Sequence, residues 1–315
     1  MDDNDDGASS STGSVTDIFE SSLESLFGYH TTAHGEPGQL TSYRPPRGPE
    51  GRGASAPAIR YRIPPNETNG LFAHYQWDAG VLLADSIVIS SRSEHSEGDS
   101  DGGDDRAGLR VEAADVRGKR VLELGAGTGL PSVVATVFGH ASSVVVTDYP
   151  APGLLDTLRF NVSRNAPSQA GGIITVQGLD WTSVQDRLAV VQGHQTFERV
   201  FSADGLWMGQ LHEPLVATIS TCLSRSESAR AIIVAGFHTG RPAIARFMVI
   251  AASHGLVPDG DDAKYGGAFE RCVDGQTRRW SKSLEEQNDD HVERTRWTFY
   301  TTLRWKSTLL QSQSP

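Results

Sequence analysis

From residue 119 onward, short apolar runs alternate with longer stretches in which apolar residues recur at helical spacing. The short runs are rich in Val and Ile and predict buried strands, whereas the longer stretches predict helices that cover them. Strands are predicted at 121–124, 143–147, 173–176, 197–202, 231–235 and 297–303. Helices are predicted at 130–138, 152–164, 211–223 and 242–254.

This alternation predicts an α/β fold in which a doubly wound, mostly parallel sheet carries helices on both faces. The last strand, 297–303, follows an acidic, irregular stretch at 285–293, which favours its antiparallel insertion into the sheet. Before the first strand, residues 71–89 predict another helix, on which Trp77 either lines a pocket, the interpretation that we favour, or anchors the helix in the core.

The ends of the chain have a different composition from its centre. Residues 1–66 predict a mostly disordered extension: 1–14 are acidic and then rich in Ser and Gly, 15–27 carry one short amphipathic helix, and 35–65 read as an extended connector. A single domain is expected at 67–306, with an acidic loop insertion at 90–108. Residues 307–315 are expected to form a disordered tail.

Three glycines on alternate positions, Gly125, Gly127 and Gly129, follow the first strand of the alternating region. Because they lack side chains, a ligand can lie against backbone N–H groups at the start of the next helix. The dinucleotide-binding motif has the spacing GxGxxG. The spacing here is GxGxG, and an acid, Glu123, stands two residues before the first glycine. This pattern favours S-adenosylmethionine, a cofactor that has no phosphate.

Acidic and aromatic residues follow the next two strands. Asp148 ends the second strand 19 residues after Gly129, and an acid about 20 residues past the glycines commonly accepts ribose hydroxyls. Asp180 and Trp181 follow the third strand, where a carboxylate can accept the adenine amino group and an indole can cover its face. Taken singly, Asp148 could cap a helix and Trp181 could belong to the core. Together they predict a binding site at the carboxyl edge of the sheet.

Asp204 and Trp207, after the fourth strand, are the residues that we predict to act in catalysis. Asp204 is a candidate for positioning the methyl acceptor, and bonding the neighbouring loop backbone is an equally good interpretation. Trp207 is predicted to form a wall of the acceptor channel and to stabilise positive charge by cation–π contact. His238 is a candidate base or a hydrogen-bonding element of its turn, and His212 has the same two interpretations.

Composition excludes several other classes of function. The 315 residues carry a net charge of −11, which argues against nonspecific binding to nucleic acid or anionic membranes. The two cysteines give no disulfide framework, and no His or Cys cluster has metal-ligand spacing, so no metal is expected. No apolar run is long enough to span a membrane, and the first Lys or Arg is Arg44, so no basic leader is expected. We expect a cytoplasmic monomer.

Six segments of the chain together resemble one protein family. They are 122–131 (LELGAGTGLP), 146–150 (VTDYP), 158–161 (LRFN), 179–181 (LDW), 204–208 (DGLWM, with His212) and 236–241 (GFHTGR). The combination resembles the fungal branch of the seven-strand protein methyltransferases that is labelled nicotinamide N-methyltransferase-like. Within that branch it is most similar to the enzymes that methylate the N-terminus and adjacent lysine of translation elongation factor 1-alpha. The likeness spans about residues 71–305.

The resemblance implies a Rossmann-like, seven-stranded class I fold and S-adenosylmethionine-dependent transfer to a lysine or N-terminal amine of a protein such as elongation factor 1-alpha. By this resemblance, the cofactor contacts are Trp77, Gly125, Ala126, Gly127, Asp148, Trp181 and Ala203. Gly205 departs from the branch, in which a Cys commonly follows the acid. Two alternatives stay open: a small-molecule, nicotinamide-like N-methyltransferase, and a cofactor-binding protein without turnover.

Overall fold

A computed structural model describes residues 32–46, 57–65, 73–92, 111–166, 173–260, 267–281 and 294–311. Its first four strands are short, and they are β1 (Ala33–His34), β2 (Leu40–Tyr43), β3 (Ile59–Arg62) and β4 (Gln76–Trp77). β1 pairs antiparallel with β4, and β2 pairs antiparallel with β3, so these strands form two small ribbons. The amphipathic helix predicted within 15–27 and most of the insertion predicted at 90–108 lie outside the described residues.

The remaining nine strands form one large sheet. They are β5 (Arg120–Leu124), β6 (Ser143–Asp148), β7 (Ile173–Gly178), β8 (Arg199–Ala203), β9 (Arg230–Gly236), β10 (Leu256–Pro258), β11 (Ala268–Cys272), β12 (Thr277–Arg279) and β13 (Trp297–Trp305). The main order across the sheet is β12-β11-β13-β9-β8-β5-β6-β7, and β10 pairs with β13. Two strands of three residues, β10 and β12, bring the count from the expected seven to nine.

Strands β5 to β9 are parallel to one another, and they carry the part of the sheet that positions the site. The order reverses at β5, which lies between β6 and β8, so a crevice opens beyond the carboxyl ends of these strands. β13 runs antiparallel between β9 and β11, as the sequence predicts. The α/β, doubly wound class is therefore confirmed.

Seven helices accompany the strands within the described residues: α1 (Asp78–Ser90), α2 (Leu130–Val137), α3 (Pro152–Asn165), α4 (Val184–His194), α5 (His212–Cys222), α6 (Arg241–Ser253) and α7 (Ser307–Gln311). Helices α2, α3 and α6 each have a proline in the first turn, where its missing N–H costs no hydrogen bond. No helix among the described residues is long and apolar enough to cross a membrane.

Two hydrophobic cores lie on opposite faces of the sheet. Residues of β5 alternate between them: Val121 belongs to the first core, and Leu122 and Leu124 belong to the second. The first core contains buried residues of α1, α2 and α3, and the second contains buried residues of α5 and α6. Because the side chains of a strand point alternately to its two faces, this division explains why the strands are apolar throughout.

The segment before residue 66 differs from the expected extended connector, because part of it packs on the domain. Tyr43, Ile59, Tyr61 and Ile63 are buried members of the first core. Strand β3 is also held by two amide side chains of α3, each of which bonds both the N–H and the C=O of one strand residue. The expectation of disorder over 1–66 is therefore wrong for these described residues.

Two helix boundaries also differ from expectation. The helix predicted at 71–89 begins only at Asp78, because Gln76 and Trp77 form β4 and pair with β1. At the other end of the chain, α7 forms where a disordered tail is expected, and its Leu310 packs against the second core. Apolar contact with the domain, rather than helix propensity alone, explains this last turn of structure.

Candidate functional site

A pocket opens beyond the carboxyl ends of β5 to β8, and its space, including the part that is open to solvent, measures about 880 Å³. Nine of the ten predicted cofactor-binding residues line it: Trp77, Glu123, Gly125, Ala126, Gly127, Asp148, Asp180, Trp181 and Ala203. Both predicted catalytic residues, Asp204 and Trp207, line it as well. The structure thus brings together residues that are spread over more than 120 positions of the chain.

The glycine loop connects β5 to α2 and forms the floor of the pocket. Gly125, Gly127 and Gly129 have φ angles of 68°, 54° and 73°, a left-handed conformation that favours glycine. A Cβ atom on Gly125 would lie 3.0 Å from the indole of Trp181, whereas one on Gly127 would meet nothing within 4 Å. The backbone at Gly127 therefore faces open space that a ligand can fill.

Gly129 is the one predicted cofactor residue that does not line the pocket. It is the N-cap of α2, and a Cβ atom there would lie 3.0 Å from a side-chain carbon of Leu158 on α3. Close packing between α2 and α3, rather than ligand contact, therefore explains this glycine. The prediction that Gly129 contacts the cofactor is corrected to a packing role.

Asp148 ends β6 with its carboxylate buried at the pocket wall. Its two oxygens accept the backbone N–H groups of Gly127 and Tyr149, each at 2.7 Å. Burial raises the pKa of Asp148 to about 6, although both backbone hydrogen bonds oppose that rise. A carboxylate has about four acceptor positions, so Asp148 keeps capacity for hydroxyl donors of a ligand.

Glu123 lies on β5, directly before the loop, and is 1% exposed. One carboxyl oxygen accepts the backbone N–H of Ser132, in the first turn of α2, at 3.0 Å. Burial raises the pKa of Glu123 to about 8, and the charge of Asp148 adds to the rise. Glu123 is therefore protonated at neutral pH and can both donate and accept hydrogen bonds at the inner end of the pocket.

Asp180 and Trp181 stand after β7 on the far wall. One oxygen of Asp180 accepts both the backbone N–H and the hydroxyl of Thr182, each at 2.8 Å, which fixes the carboxylate at the start of a turn. The indole of Trp181 lies over the glycine loop, next to Gly125. An acid and an aromatic face are thus side by side, as expected for adenine recognition.

Asp204 follows β8 and combines a strained backbone with a side chain whose two oxygens each take part in one hydrogen bond. Its φ angle of 63° lies in the left-handed region, which non-glycine residues seldom adopt outside functional sites and turns. One carboxylate oxygen accepts the N–H of Gly236 at 2.9 Å, and the other lies 2.8 Å from Nε2 of His238. The backbone-bonding interpretation of Asp204 is therefore present in the structure, and its carboxylate still borders the pocket.

The two candidate histidines have different surroundings. His212 is fully buried, its Nε2 bonds the carbonyl of Leu206 at 2.8 Å, and its ring packs edge-on against Phe247. It therefore holds the loop that presents Trp207 and takes no part in the pocket wall. His238 lies next to Asp204, with 28% of its side chain exposed.

A chain of hydrogen bonds that the sequence does not predict supports the glycine loop. The hydroxyl of Thr128 donates to Oε1 of Gln76 at 2.6 Å, and Nδ2 of Asn161 donates to the carbonyl of Thr128 at 2.9 Å. The same Asn161 side chain accepts the backbone N–H of Arg62 on β3 and donates to the carbonyl of Arg62. Thr128 and Asn161 lie in the LELGAGTGLP and LRFN segments of the sequence, whereas Gln76 lies in none of the six segments.

Gly205 follows Asp204 at a crowded position. A Cβ atom there would lie 2.5 Å from the hydroxyl of Ser202, so any larger residue requires that hydroxyl to rotate away. Space around Ser202 therefore accounts for the glycine at this position.

The lining of the pocket fits S-adenosylmethionine. Among the described residues that line it, four are acidic (Glu123, Asp148, Asp180 and Asp204) and none is Lys or Arg. These acidic side chains suit a cationic ligand whose hydroxyl and amino groups donate hydrogen bonds, and they do not suit a phosphate. The open space at Gly127 and the indole of Trp181 provide room for its amino acid and nucleoside parts.

Comparison with known proteins gives a family and several relatives. A family model described as lysine methyltransferase matches residues 61–252. The chain is 30% identical over 201 residues to a Cryptococcus neoformans protein named "Protein N-terminal and lysine N-methyltransferase EFM7", covering 60% of this chain and 64% of that protein. It is 30% identical over 204 residues to the protein of the same name from Emericella nidulans, covering 62% and 73%. The chain thus spans less than two thirds of the Cryptococcus protein.

Two solved structures have weaker similarity to the chain. SMU.776, solved in complex with SAH, aligns with a TM-score of 0.45 at 13% identity, covering 78% of this chain and 53% of that chain. CrArsM, an arsenic(III) S-adenosylmethionine methyltransferase from Chlamydomonas reinhardtii, aligns with a TM-score of 0.40 at 16% identity, covering 61% and 65%.

Proposed function

Because the chain belongs to the lysine methyltransferase family, we propose that it transfers a methyl group from S-adenosylmethionine to an amine of a protein. The observation that carries this proposal is the pocket at the switch point of the sheet, with its acidic lining and its open glycine loop. When bound, S-adenosylmethionine supplies an electrophilic methyl group on a sulfonium.

Each wall of the pocket has a part in holding this cofactor. Asp148 accepts the ribose hydroxyls, Asp180 accepts the adenine amino group, and Trp181 covers the adenine face. The backbone at Gly125 and Gly127 lies along the amino acid part. Positioning of the acceptor against this bound group supplies on the order of 7–11 kcal/mol of the barrier reduction.

The acceptor that we propose is a lysine side chain or an N-terminal amine, in translation elongation factor 1-alpha. The names of the fungal relatives, which specify both N-terminal and lysine methylation, support the amine, and the sequence resemblance supports the elongation factor. Trp77 and Trp207 line the same pocket as Asp204, so an amine can approach along aromatic surfaces. We further propose that the chain acts as a cytoplasmic monomer, without nucleic acid or a membrane as partner.

The proposal is tested with purified protein, S-adenosylmethionine carrying a labelled methyl group, and recombinant elongation factor 1-alpha. We expect label in the elongation factor, located by mass spectrometry at its N-terminus or a lysine, and about 10- to 100-fold less label with Asp148→Asn when S-adenosylmethionine is limiting. Label in a small molecule of a fungal lysate instead would support the nicotinamide-like alternative. Binding of S-adenosylhomocysteine without transfer to any acceptor would support a non-catalytic role.

A further inference from the structure

His238 lies next to Asp204, which lines the acceptor side of the pocket. Its Nε2 lies 2.8 Å from one carboxylate oxygen of Asp204, and the other oxygen is held by the N–H of Gly236. The carboxylate is therefore fixed between β9 and the imidazole. In the described part of the chain, the second ring nitrogen, Nδ1, has no hydrogen-bond partner, so its lone pair is available when the ring is neutral.

The loop that carries His238 is held firmly in place. The N–H of Gly240 donates to the carbonyl of Phe237 at 3.0 Å, which closes a turn around His238. Immediately after the turn, the buried guanidinium of Arg241 pairs with the buried carboxylate of Glu270 and lies 4.5 Å from the centre of the Phe237 ring. This one buried ion pair anchors the residue that directly follows the turn.

Groups from several elements face the imidazole. The ring of Trp77, which lines the pocket, packs edge-on against it with ring centres 4.8 Å apart. Asp78, at the start of α1, acts on it through its charge and is paired with His34 of β1 at 2.6 Å. Asp204 approaches from β8, and a guanidinium nitrogen of Arg294 lies near Gly240.

These groups change the proton affinity of the imidazole. Burial disfavours its charged form, but the hydrogen bond to Asp204 and the charges of Asp204 and Asp78 outweigh burial and raise the pKa of His238 above its ordinary value. With 28% of its side chain exposed, the ring can also pass a proton on to solvent.

We propose that His238, supported by Asp204, accepts the proton that the acceptor ammonium must lose before methyl transfer. This inference rests on the proposed function. An N–H bond of the ammonium breaks, its electron pair stays on the acceptor nitrogen as the nucleophilic lone pair, and a new N–H bond forms at Nδ1 of His238. The positive charge that moves to the imidazolium is balanced by the Asp204 carboxylate. The proton leaves to solvent from the exposed edge of the ring.

Asp204 itself is held in a fixed position. Each of its oxygens takes part in one hydrogen bond, and its backbone N–H donates to the carbonyl of Val234 at 2.7 Å. In this arrangement Asp204 is a positioning residue that orients the ring, and the proton is taken by the histidine. The geometry is that of an acid–imidazole pair in which the acid selects the tautomer with hydrogen on Nε2.

The experiment compares the pH dependence of kcat/KM for the unaltered protein, His238→Gln and a matched control, His254→Gln. His254 also pairs with a carboxylate, Glu213 at 2.6 Å, and its side chain is 27% exposed, but it lies at the end of α6, away from the pocket. We expect His238→Gln to lower kcat/KM about 100-fold at pH 7, with recovery as pH rises toward the pKa of the amine itself. We expect His254→Gln to follow the unaltered protein.

A second readout does not need turnover. In protein saturated with S-adenosylhomocysteine, the NMR signal of the His238 ring should titrate above its ordinary range, and Asp204→Asn should lower that pKa. Calorimetry should give the same S-adenosylhomocysteine affinity for His238→Gln as for the unaltered protein.

The outcomes separate this inference from the proposed function. An active unaltered protein whose pH profile is unchanged by His238→Gln overturns the role of His238. A loss of equal size at every pH, together with weaker S-adenosylhomocysteine binding, also overturns it and indicates a structural role. If the unaltered protein methylates no amine, the proposed function fails instead. Independently of activity, an Asp204→Asn variant that leaves the pKa of His238 unchanged overturns the coupling between Asp204 and His238.

Discussion

Two buried carboxyl groups, Glu123 and Asp148, stand close to the glycine loop and respond differently to the same low-polarity surroundings. Glu123 accepts one backbone N–H, and burial raises its pKa to about 8. Asp148 accepts two, and burial raises its pKa only to about 6. Near neutral pH the first is therefore a neutral acid and the second a charged acceptor, so the pocket holds both kinds of group within one loop.

The protonation of Glu123 makes stability depend on pH. The folded chain keeps this proton up to about pH 8, whereas the unfolded chain loses it near 4.5. Unfolding then releases a proton between these values, so the free energy of unfolding falls as pH rises through this range, by at most about 1.4 kcal/mol per pH unit. Glu123→Gln, which is always neutral, should flatten this decline in urea titrations at pH 5, 6.5 and 8.

The control for that experiment is Glu213→Gln, whose side chain is 62% exposed. It should leave the pH dependence of unfolding as it is in the unaltered protein. Parallel curves for Glu123→Gln and the unaltered protein would show that Glu123 does not carry the proton.

Asp148 should control cofactor affinity. Replacement by Asn removes a charged acceptor, and a hydrogen bond to such an acceptor is worth about 1.5–3 kcal/mol. The Asn side chain has only one oxygen, so its NH₂ group would face one of the two backbone N–H donors that Asp148 accepts. We expect S-adenosylhomocysteine to bind about 10- to 100-fold more weakly in calorimetry. In the unaltered protein affinity should also decrease below about pH 6, where Asp148 gains a proton.

Asp156→Asn serves as the matched control, because this carboxylate lies on α3 with 73% of its side chain exposed. Equal affinities for the unaltered protein and Asp148→Asn would remove Asp148 from the cofactor site.

At the scale of elements, α3 connects the N-terminal ribbons to the cofactor loop. Asn161 and Asn165 both bracket a residue of β3, Arg62 and Arg60 respectively. Only Asn161 also donates to Thr128 of the glycine loop, at 2.9 Å. The two residues therefore offer a comparison in which the strand contact is the same and the loop contact differs.

We expect Asn161→Ala to weaken S-adenosylhomocysteine binding about 10-fold and to lower the free energy of unfolding by about 1–3 kcal/mol, because buried backbone groups lose their partner. Asn165→Ala should lower stability by less than about 1 kcal/mol and leave the affinity unchanged. Calorimetry and urea unfolding measure the two quantities. If both variants bind with the affinity of the unaltered protein, strand β3 has no influence on the loop.

The sequence predicts the parallel strands well because they are buried on both faces, so their apolar runs are continuous. The predicted strand 143–147 differs from β6 by one residue at one end, and 231–235 differs from β9 by one residue at each end. Helix α4 is missed because Val190 is its only fully buried residue. β1 to β3 are missed because contacts with distant parts of the chain hold them. β1 pairs with β4, and β3 is hydrogen-bonded to amide side chains of α3, and neither contact produces a local pattern of apolar residues.

The same distinction applies to the site. Residues at strand ends, such as Asp148 and Trp181, are predictable because the topology of parallel strands brings them to one edge. Gln76 is not predictable, because its place in the pocket depends on a hydrogen bond to the glycine loop from a segment that carries no motif. The coupling of Asp204 to His238 also requires the structure, since the sequence leaves open which groups the carboxylate meets.

At the scale of the whole molecule, the N-terminal segment belongs to the folding unit. Ile63 is fully buried in the core that also contains Val121 of β5. Ile63→Ala should therefore lower the free energy of unfolding by about 2–5 kcal/mol, as for any core position. Thermal and urea unfolding should keep a single transition.

Leu40→Ala, on the same ribbon but 50% exposed, is the control and should change stability by less than about 0.5 kcal/mol. A separate early transition in Ile63→Ala would mean that the N-terminal ribbons melt independently of the sheet.

The position of β13 has a consequence for synthesis on the ribosome. This strand comes last of all, yet it lies between β9 and β11 in the sheet. Until β13 has been translated, β9 keeps one unpaired edge, and of its two neighbours in the sheet β11 can pair only with β12. Because unpaired strand edges attract other chains, the nascent protein should stay prone to aggregation until the segment that contains β13 has been translated, even though the glycine loop and its parallel strands are complete earlier.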